Sequence, residues 1–268
     1  MKRVTKRVKG IYFALMYVAI YYITSVMVYG AYYLWNLADG RMTTVEIEKS
    51  AGDGAYALTV IASIICLWIY MLIGRIRKIS LEDAVKTKNV QSVVYIMSVF
   101  LAIGCRFLVS VYYELSLKSG ILSKSIEDAA QFIPEITGGI QLMVAIFSVV
   151  IIAPLFEEFL FRGLVMTELK KIMRPWAAIT LQAIIFGAVH GVLFQSIFAF
   201  VIGIALGIVY HRTENIKVTT LCHLVFNMSA VLVQENMTEI EMTVYSVIGI
   251  LLVSLSLMYV FYNSKKGM

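Results

Sequence analysis

Residues 138–166 read GGIQLMVAIFSVVIIAPLFEEFLFRGLVM, and this stretch decides the fold class. Its only charged side chains are Glu157, Glu158 and Arg162. The run exceeds the roughly 20 residues that a helix needs to cross a bilayer. Its apolar residues are continuous, whereas the strands of a membrane barrel alternate, and hydrocarbon offers no water to open backbone groups. The segment therefore reads as a spanning helix.

Comparable runs lie on both sides of it, at about 11–36, 55–73 and 90–112, and again at 176–194, 197–210, 217–233 and 244–262. The 197–210 run is short for a crossing unless it recruits residues from 192–196, which demands a tight Gly191–Ser196 connection. The whole chain is 60% hydrophobic and 15% charged, with three prolines. Soluble domains run at about 45–50% apolar and about 25% charged. The expected fold class is all-α, a polytopic transmembrane helical bundle of about eight spans. The first run follows a basic stretch, as a signal peptide would. It is longer than an h-region of about 7–15 residues, so it reads as a retained helix.

The net charge of +6 could suggest nucleic acid, but its distribution gives another reading. Lys2, Arg3, Lys6, Arg7 and Lys9 precede the first span, and Arg75, Arg77, Lys78, Lys86 and Lys88 follow the second. Lys170, Lys171 and Arg174, then Arg212 and Lys217, then Lys265 and Lys266 continue on the same side. The opposite side holds Arg41, Lys49, Lys118 and Lys124. Under the positive-inside rule both termini are cytoplasmic. The expected partners are then membrane lipids, with an anionic inner leaflet as counter-charge and no nucleic acid. Short loops and tyrosine-rich helices fit a bacterial cell membrane.

Cys66, Cys105 and Cys222 lie in separate apolar runs without CxxC spacing and read as small buried residues. Residues 113–137 mix charged and apolar positions, as an amphipathic outer-surface helix does. Arg106 falls near the outer end of the third run, where a long cation snorkels or binds a carbonyl. Three regions result: 1–137, three membrane helices with the surface segment; 138–233, holding nearly all the intramembrane polar chemistry; and 234–268, a last helix and tail.

An ionisable group at the centre of a spanning helix costs about 2.5–3.5 kcal/mol on insertion scales, so such groups face inward, pair, or do chemistry. Here they are Glu157, Glu158 and Arg162, then His190, then His223 with Asn227. Glu158 and Arg162 are i and i+4 and can form a charge-assisted pair. Glu157 points about 100° away and is left free to act. Glu157 and His190 lie at similar distances from the Arg174–Pro175 connection, hence at similar depth. His223 and Asn227, also i and i+4, share one helix face. Taken singly, each residue is as well explained by helix–helix hydrogen bonding or ion pairing. The joint pattern carries the functional reading.

That pattern resembles the CPBP family, which groups type 2 CAAX prenyl proteases with bacteriocin-processing or immunity (Abi) proteases. The family motifs EExxxR, FxxxH and HxxxN read here as Glu157-Glu158-x-x-x-Arg162, Phe186-x-x-x-His190 and His223-x-x-x-Asn227. The resemblance implies an intramembrane endopeptidase acting on a membrane-associated, prenylated or leader peptide. It implies that Glu157 and His190 activate a water and that His223 and Asn227 hold the oxyanion, with Glu158, Arg162 and Phe186 as structural support. No HExxH is present, and an Asn completes the set as a donor, which favours a glutamic mechanism without a cofactor. Glu157, His190 and His223 would also make a zinc set, so a metalloprotease stays open. So does a transporter using Glu and His as a proton relay, or a non-catalytic immunity scaffold.

Overall fold

Six helices of the chain are long and apolar enough to cross a membrane. The computed structural model describes residues 2–78, 85–131, 139–232 and 237–263. The long helices are α1 (Lys2–Asp39), α3 (Ala55–Arg77), α4 (Ser92–Ser119), α6 (Gly139–Lys170), α8 (Leu193–Thr213) and α10 (Glu239–Asn263). Between them lie α2 (Thr44–Asp53), α5 (Ser123–Gln131), α7 (Pro175–Ala188) and α9 (Ile216–Met228). No β-strand occurs among the described residues; Thr87 and Asn215 form an isolated bridge. Trp35, Trp68, Ile76, Ile140 and Met258 are among many large apolar side chains on the outside, as hydrocarbon requires. The chain is an all-α polytopic bundle and an integral membrane protein.

Two expected spans are shorter than their sequence runs. α7 has 14 residues and α9 has 13, so each covers about 20 Å against a hydrocarbon core of about 30 Å. Pro175 opens α7 at a position where its missing N–H costs nothing, after Arg174 in extended conformation. The helix stops at Ala188 although the apolar run continues to residue 194, because the chain turns at Gly191, whose φ of 76° lies in the left-handed region that favours glycine. α8 then begins at Leu193, so it does recruit the residues that 197–210 alone lacks. α9 starts at an Asn215 cap, whose Oδ1 accepts from the Lys217 N–H at 2.9 Å. It ends in a 3₁₀ turn over Ser229–Leu232.

α4 runs past its expected end at 112 as far as Ser119, and Glu114 and Lys118 stand i,i+4 on that extension at 3.7 Å. The surface segment expected over 113–137 is thus divided between the end of α4 and the short α5. Residues 132–137 lie outside the described residues, as do Lys265, Lys266 and the side chains of 2–7. Arg106 sits inside α4 rather than at its end, with its guanidinium carbon 5.9 Å from the centre of the Phe226 ring. Cys66, Cys105 and Cys222 are unbridged.

α6 is not a regular helix. Two π-helical stretches, Phe147–Ile152 and Phe159–Val165, bracket the α-helical residues Ala153–Glu158. The first has a local cause: Pro154 has no N–H to give, and its ring crowds the preceding turn. In the π register the Ala153 N–H bonds the Ser148 carbonyl. The next carbonyl, that of Val149, would look to Pro154 and find no donor. π-bulges of this kind concentrate at functional sites, and Glu157 and Glu158 lie between the two.

α7 and α8 approach closely through small residues. A Cβ on Gly203 would meet the Ala183 Cβ and the Phe186 ring at 3.1 Å, and one on Gly207 would meet Gln182 Nε2 at 2.9 Å. At the basic end of the bundle, residues 85–88 are zipped onto the α8–α9 turn. The Ile216 N–H donates to the Lys86 carbonyl at 2.8 Å and the Lys88 N–H to the Glu214 carbonyl at 3.1 Å.

Candidate active site

Glu158 and Arg162 are both wholly buried, and Arg162 Nη1 lies 2.9 Å from Glu158 Oε1. Arg162 is held from three directions. Nη2 donates to the Gly203 carbonyl at 3.3 Å, which the close α7–α8 packing brings within reach. The guanidinium carbon lies 4.8 Å from the centre of the Phe186 ring. Glu158 supplies the counter-charge. The same Gly203 carbonyl accepts from Gln182 Nε2 at 2.8 Å. Gln182 is fully buried, and the motifs gave no sign of it.

Glu158 Oε1 also meets His223 Nδ1 at 3.0 Å. A carboxylate held beside Arg162 accepts, so Nδ1 donates, and the ring is fixed with Nε2 as its other face. Nε2 faces Glu157 Oε2 at 3.7 Å. The two adjacent glutamates thus end in opposite situations. The Glu158 side chain is sealed between a guanidinium and an imidazole, while that of Glu157 keeps 26% of its surface open.

Phe186 ties the second motif to this cluster. It is buried, with its ring edge-on to Phe161 and His190 at 4.9 Å and to His223 at 6.0 Å between centroids. His190 Nδ1 is 2.7 Å from the Phe186 carbonyl. A carbonyl can only accept, so Nδ1 carries the proton and Nε2 of the neutral ring is an acceptor. Tyr22 of α1 donates to the Val189 carbonyl at 2.9 Å, fastening the end of α7 beside His190. The sequence reading missed that contact because nothing in local spacing links residues 167 positions apart.

Asn227 is turned to a different task. Its Nδ2 donates at 2.8 Å to the Val149 carbonyl, the acceptor that Pro154 leaves without a helical donor. One amide proton of Asn227 therefore pins α9 to the irregular part of α6. Its second amide proton and its Oδ1 remain for other partners.

The structure thus brings Glu157, Glu158, Arg162 and His223 together, sets Phe186 and His190 alongside, and ties Asn227 to Val149. The model of the type II CAAX prenyl endopeptidase Rce1-like family matches residues 139–229. That segment of the chain is similar to this family. The match runs from the start of α6 to the residue after α9 and contains all three motifs, in agreement with their resemblance to CPBP proteases. It leaves α1 to α5 and α10 outside. No curated protein and no solved structure matches the chain.

The likeness to an endopeptidase family supports a protease and raises the question of metal. A zinc reading would need Glu157, His190 and His223 as converging donors. Among the described residues, no three His, Cys, Asp or Glu side chains form a group that could hold a metal ion. As these side chains stand, the three donors do not converge on one metal position.

Proposed function

We propose that the chain is an intramembrane endopeptidase that cuts a membrane-associated peptide, with a prenylated C-a-a-X tail as its first candidate substrate. Glu157 and His190 activate the water, and His223 with Asn227 holds the developing oxyanion. The observation that carries the reading is the contrast between the sealed Glu158 and the open Glu157 facing His223.

In this scheme Glu157 takes a proton from water, with His190 Nε2 as a second acceptor, as the water oxygen bonds to the scissile carbonyl carbon. The carbonyl oxygen becomes an oxyanion. It is held when His223 carries a proton on both nitrogens, with Nδ1–H on Glu158 and Nε2–H on the substrate oxygen. The free amide proton of Asn227 is the second donor. As the C–N bond breaks, the proton held by Glu157 passes to the leaving amine, so acid and amine products balance the water consumed. Arg162 neutralises Glu158, and low-dielectric surroundings strengthen both contacts to the oxyanion.

The side that carries the basic loops is the cytoplasmic one in this reading, so cysteines placed at Lys86 and at Ser123 should label from opposite sides. The activity test uses the full chain in liposomes with a prenylated C-a-a-X peptide. Cleavage should persist in strong chelator. Activity lost on chelation and restored by stoichiometric zinc would replace the glutamic mechanism with a metal one. A folded chain that cleaves no membrane-associated peptide would overturn the protease reading.

A further inference from the structure

A second polar site lies away from the glutamates, at the basic end of the bundle. A cavity of about 210 Å³ opens there, lined by Lys86, Thr167, Lys170, Lys171, Tyr210 and Glu214. Three separate segments build it: the stretch before α4, the last turn of α6, and the α8–α9 turn. Ion pairs and hydrogen bonds tie the walls together. Lys86 Nζ pairs with Glu214 Oε1 at 2.7 Å, and Lys88 pairs with the other oxygen of the same carboxylate. Asn215 Nδ2 donates to the Lys88 carbonyl at 2.8 Å. Glu168, next to Thr167 in α6, is shared by Arg77 at 2.8 Å and Lys171 at 2.9 Å.

Among the described residues the lining charges do not balance. Lys86, Lys170 and Lys171 line the cavity with Glu214, whose carboxylate is already engaged by Lys86 and Lys88. Lys170 is half-buried and lines the cavity without a carboxylate partner among the described residues. Tyr210 is 2% exposed, and its hydroxyl, close to the backbone of Lys86, has no hydrogen bond of good geometry. The backbone of Lys86 can give its N–H to that oxygen but takes no proton from it, so a phenolic proton without an acceptor and a lysine without an ion pair line one cavity, a combination that calls for an anion with several acceptor oxygens. Thr167 adds a further hydroxyl to the lining.

We propose that this cavity is a phosphate-binding site, filled by the headgroup of an anionic phospholipid from the leaflet that meets the basic loops. Lys170 is its unpaired cation, Lys86 and Lys171 flank it, and Tyr210 donates the buried hydrogen bond. Anionic leaflets attract such clusters, and basic pockets between spanning helices hold phosphorylated headgroups. A bound phosphate joins the ends of α6 and α8 to the stretch before α4. Its role does not depend on the catalytic reading.

The test is native mass spectrometry of the full chain in detergent, titrated with phosphatidylglycerol, with phosphatidylcholine, or with inorganic phosphate as competitor. Phosphatidylglycerol should bind about tenfold or more tightly than phosphatidylcholine. Lys170→Gln should remove most of that preference, Lys170→Arg should restore it, and Lys217→Gln, which alters an exposed lysine outside the cavity, should leave it intact. Displacement by millimolar inorganic phosphate would show that free phosphate also enters; phosphate binding without any phospholipid preference would overturn the lipid source. Equal binding of both lipids with no phosphate effect, or equal losses for Lys170→Gln and Lys217→Gln, would overturn the site itself.

Discussion

α4 meets α10, and α6 meets α9, as packed helix pairs in one membrane, yet the two contacts are made of different material. Between α4 and α10 the backbones close in on small residues. A Cβ on Gly104 would stand 2.9 Å from Leu252 Cβ and 3.0 Å from the Gly249 carbonyl. Between α6 and α9 the contact runs through Glu158, Arg162, His223 and the Asn227–Val149 hydrogen bond. Close packing holds the middle of the first contact, since lipid tails compete with any apolar surface, and polar contacts appear at its ends, Lys118 with Glu239 at 3.9 Å and Tyr259 with Gln91 at 3.3 Å. The second accepts several charges in hydrocarbon, each costly. Stability alone does not call for that expense. It makes sense where a histidine must be held in one orientation beside an accessible carboxylate.

The comparison breaks most visibly at Arg162. Arg162→Ala strands a fully buried Glu158 and should destabilise the protein by about 3–5 kcal/mol, read as a large drop in detergent melting temperature. A silent Arg162→Ala would mean that the buried pair does not support the fold. Asn227→Ala has two expected effects. Turnover should fall roughly 10²–10³-fold, the scale of one lost oxyanion donor, with substrate binding little changed. The abandoned Val149 carbonyl should also cost about 1–3 kcal/mol of stability. If only stability moves, Asn227 is a staple for α6 and nothing more.

On the apolar side, Gly104→Val should cost about 1–3 kcal/mol by overpacking the α4–α10 contact, with the chemistry of the folded fraction unchanged. Lost turnover in fully folded protein would show that the two regions are coupled.

The smallest expected effect is at the basic end. The Lys86 and Lys88 ammoniums hold the Glu214 carboxyl down to about 2, below the ordinary 4.5. A depressed folded-state value means that this contribution is complete above about pH 4.5 and is lost as pH falls toward 2. Acid unfolding of Glu214→Gln should lack that part of the slope, and a slope identical to wild type would remove the clamp from the account.

Hydropathy alone was enough for the long spans, because a run such as 138–166 has only one way to satisfy its backbone in lipid. Helical spacing was enough to pair Glu158 with Arg162 and to set Glu157 apart. What the sequence could not supply was tertiary. The Glu158–His223 contact joins residues 65 positions apart, and Gln182 enters through a Gly203 carbonyl on another helix. The early end of α7 was hidden because Val189 and Val192 keep the run apolar through the turn at Gly191. The π register of α6 was hidden too, although Pro154 within an apolar span was its visible cause.

The central claim is that a sealed cluster positions and an open carboxylate reacts. It is tested most directly by measuring cleavage and melting on the same preparations of Glu157→Gln and Glu158→Gln. Glu157→Gln should lose cleavage altogether while melting close to wild type, and Glu158→Gln should melt well below it. A folded Glu157→Gln that still cleaves at near wild-type rate, or one that unfolds while Glu158→Gln stays stable, would contradict the account.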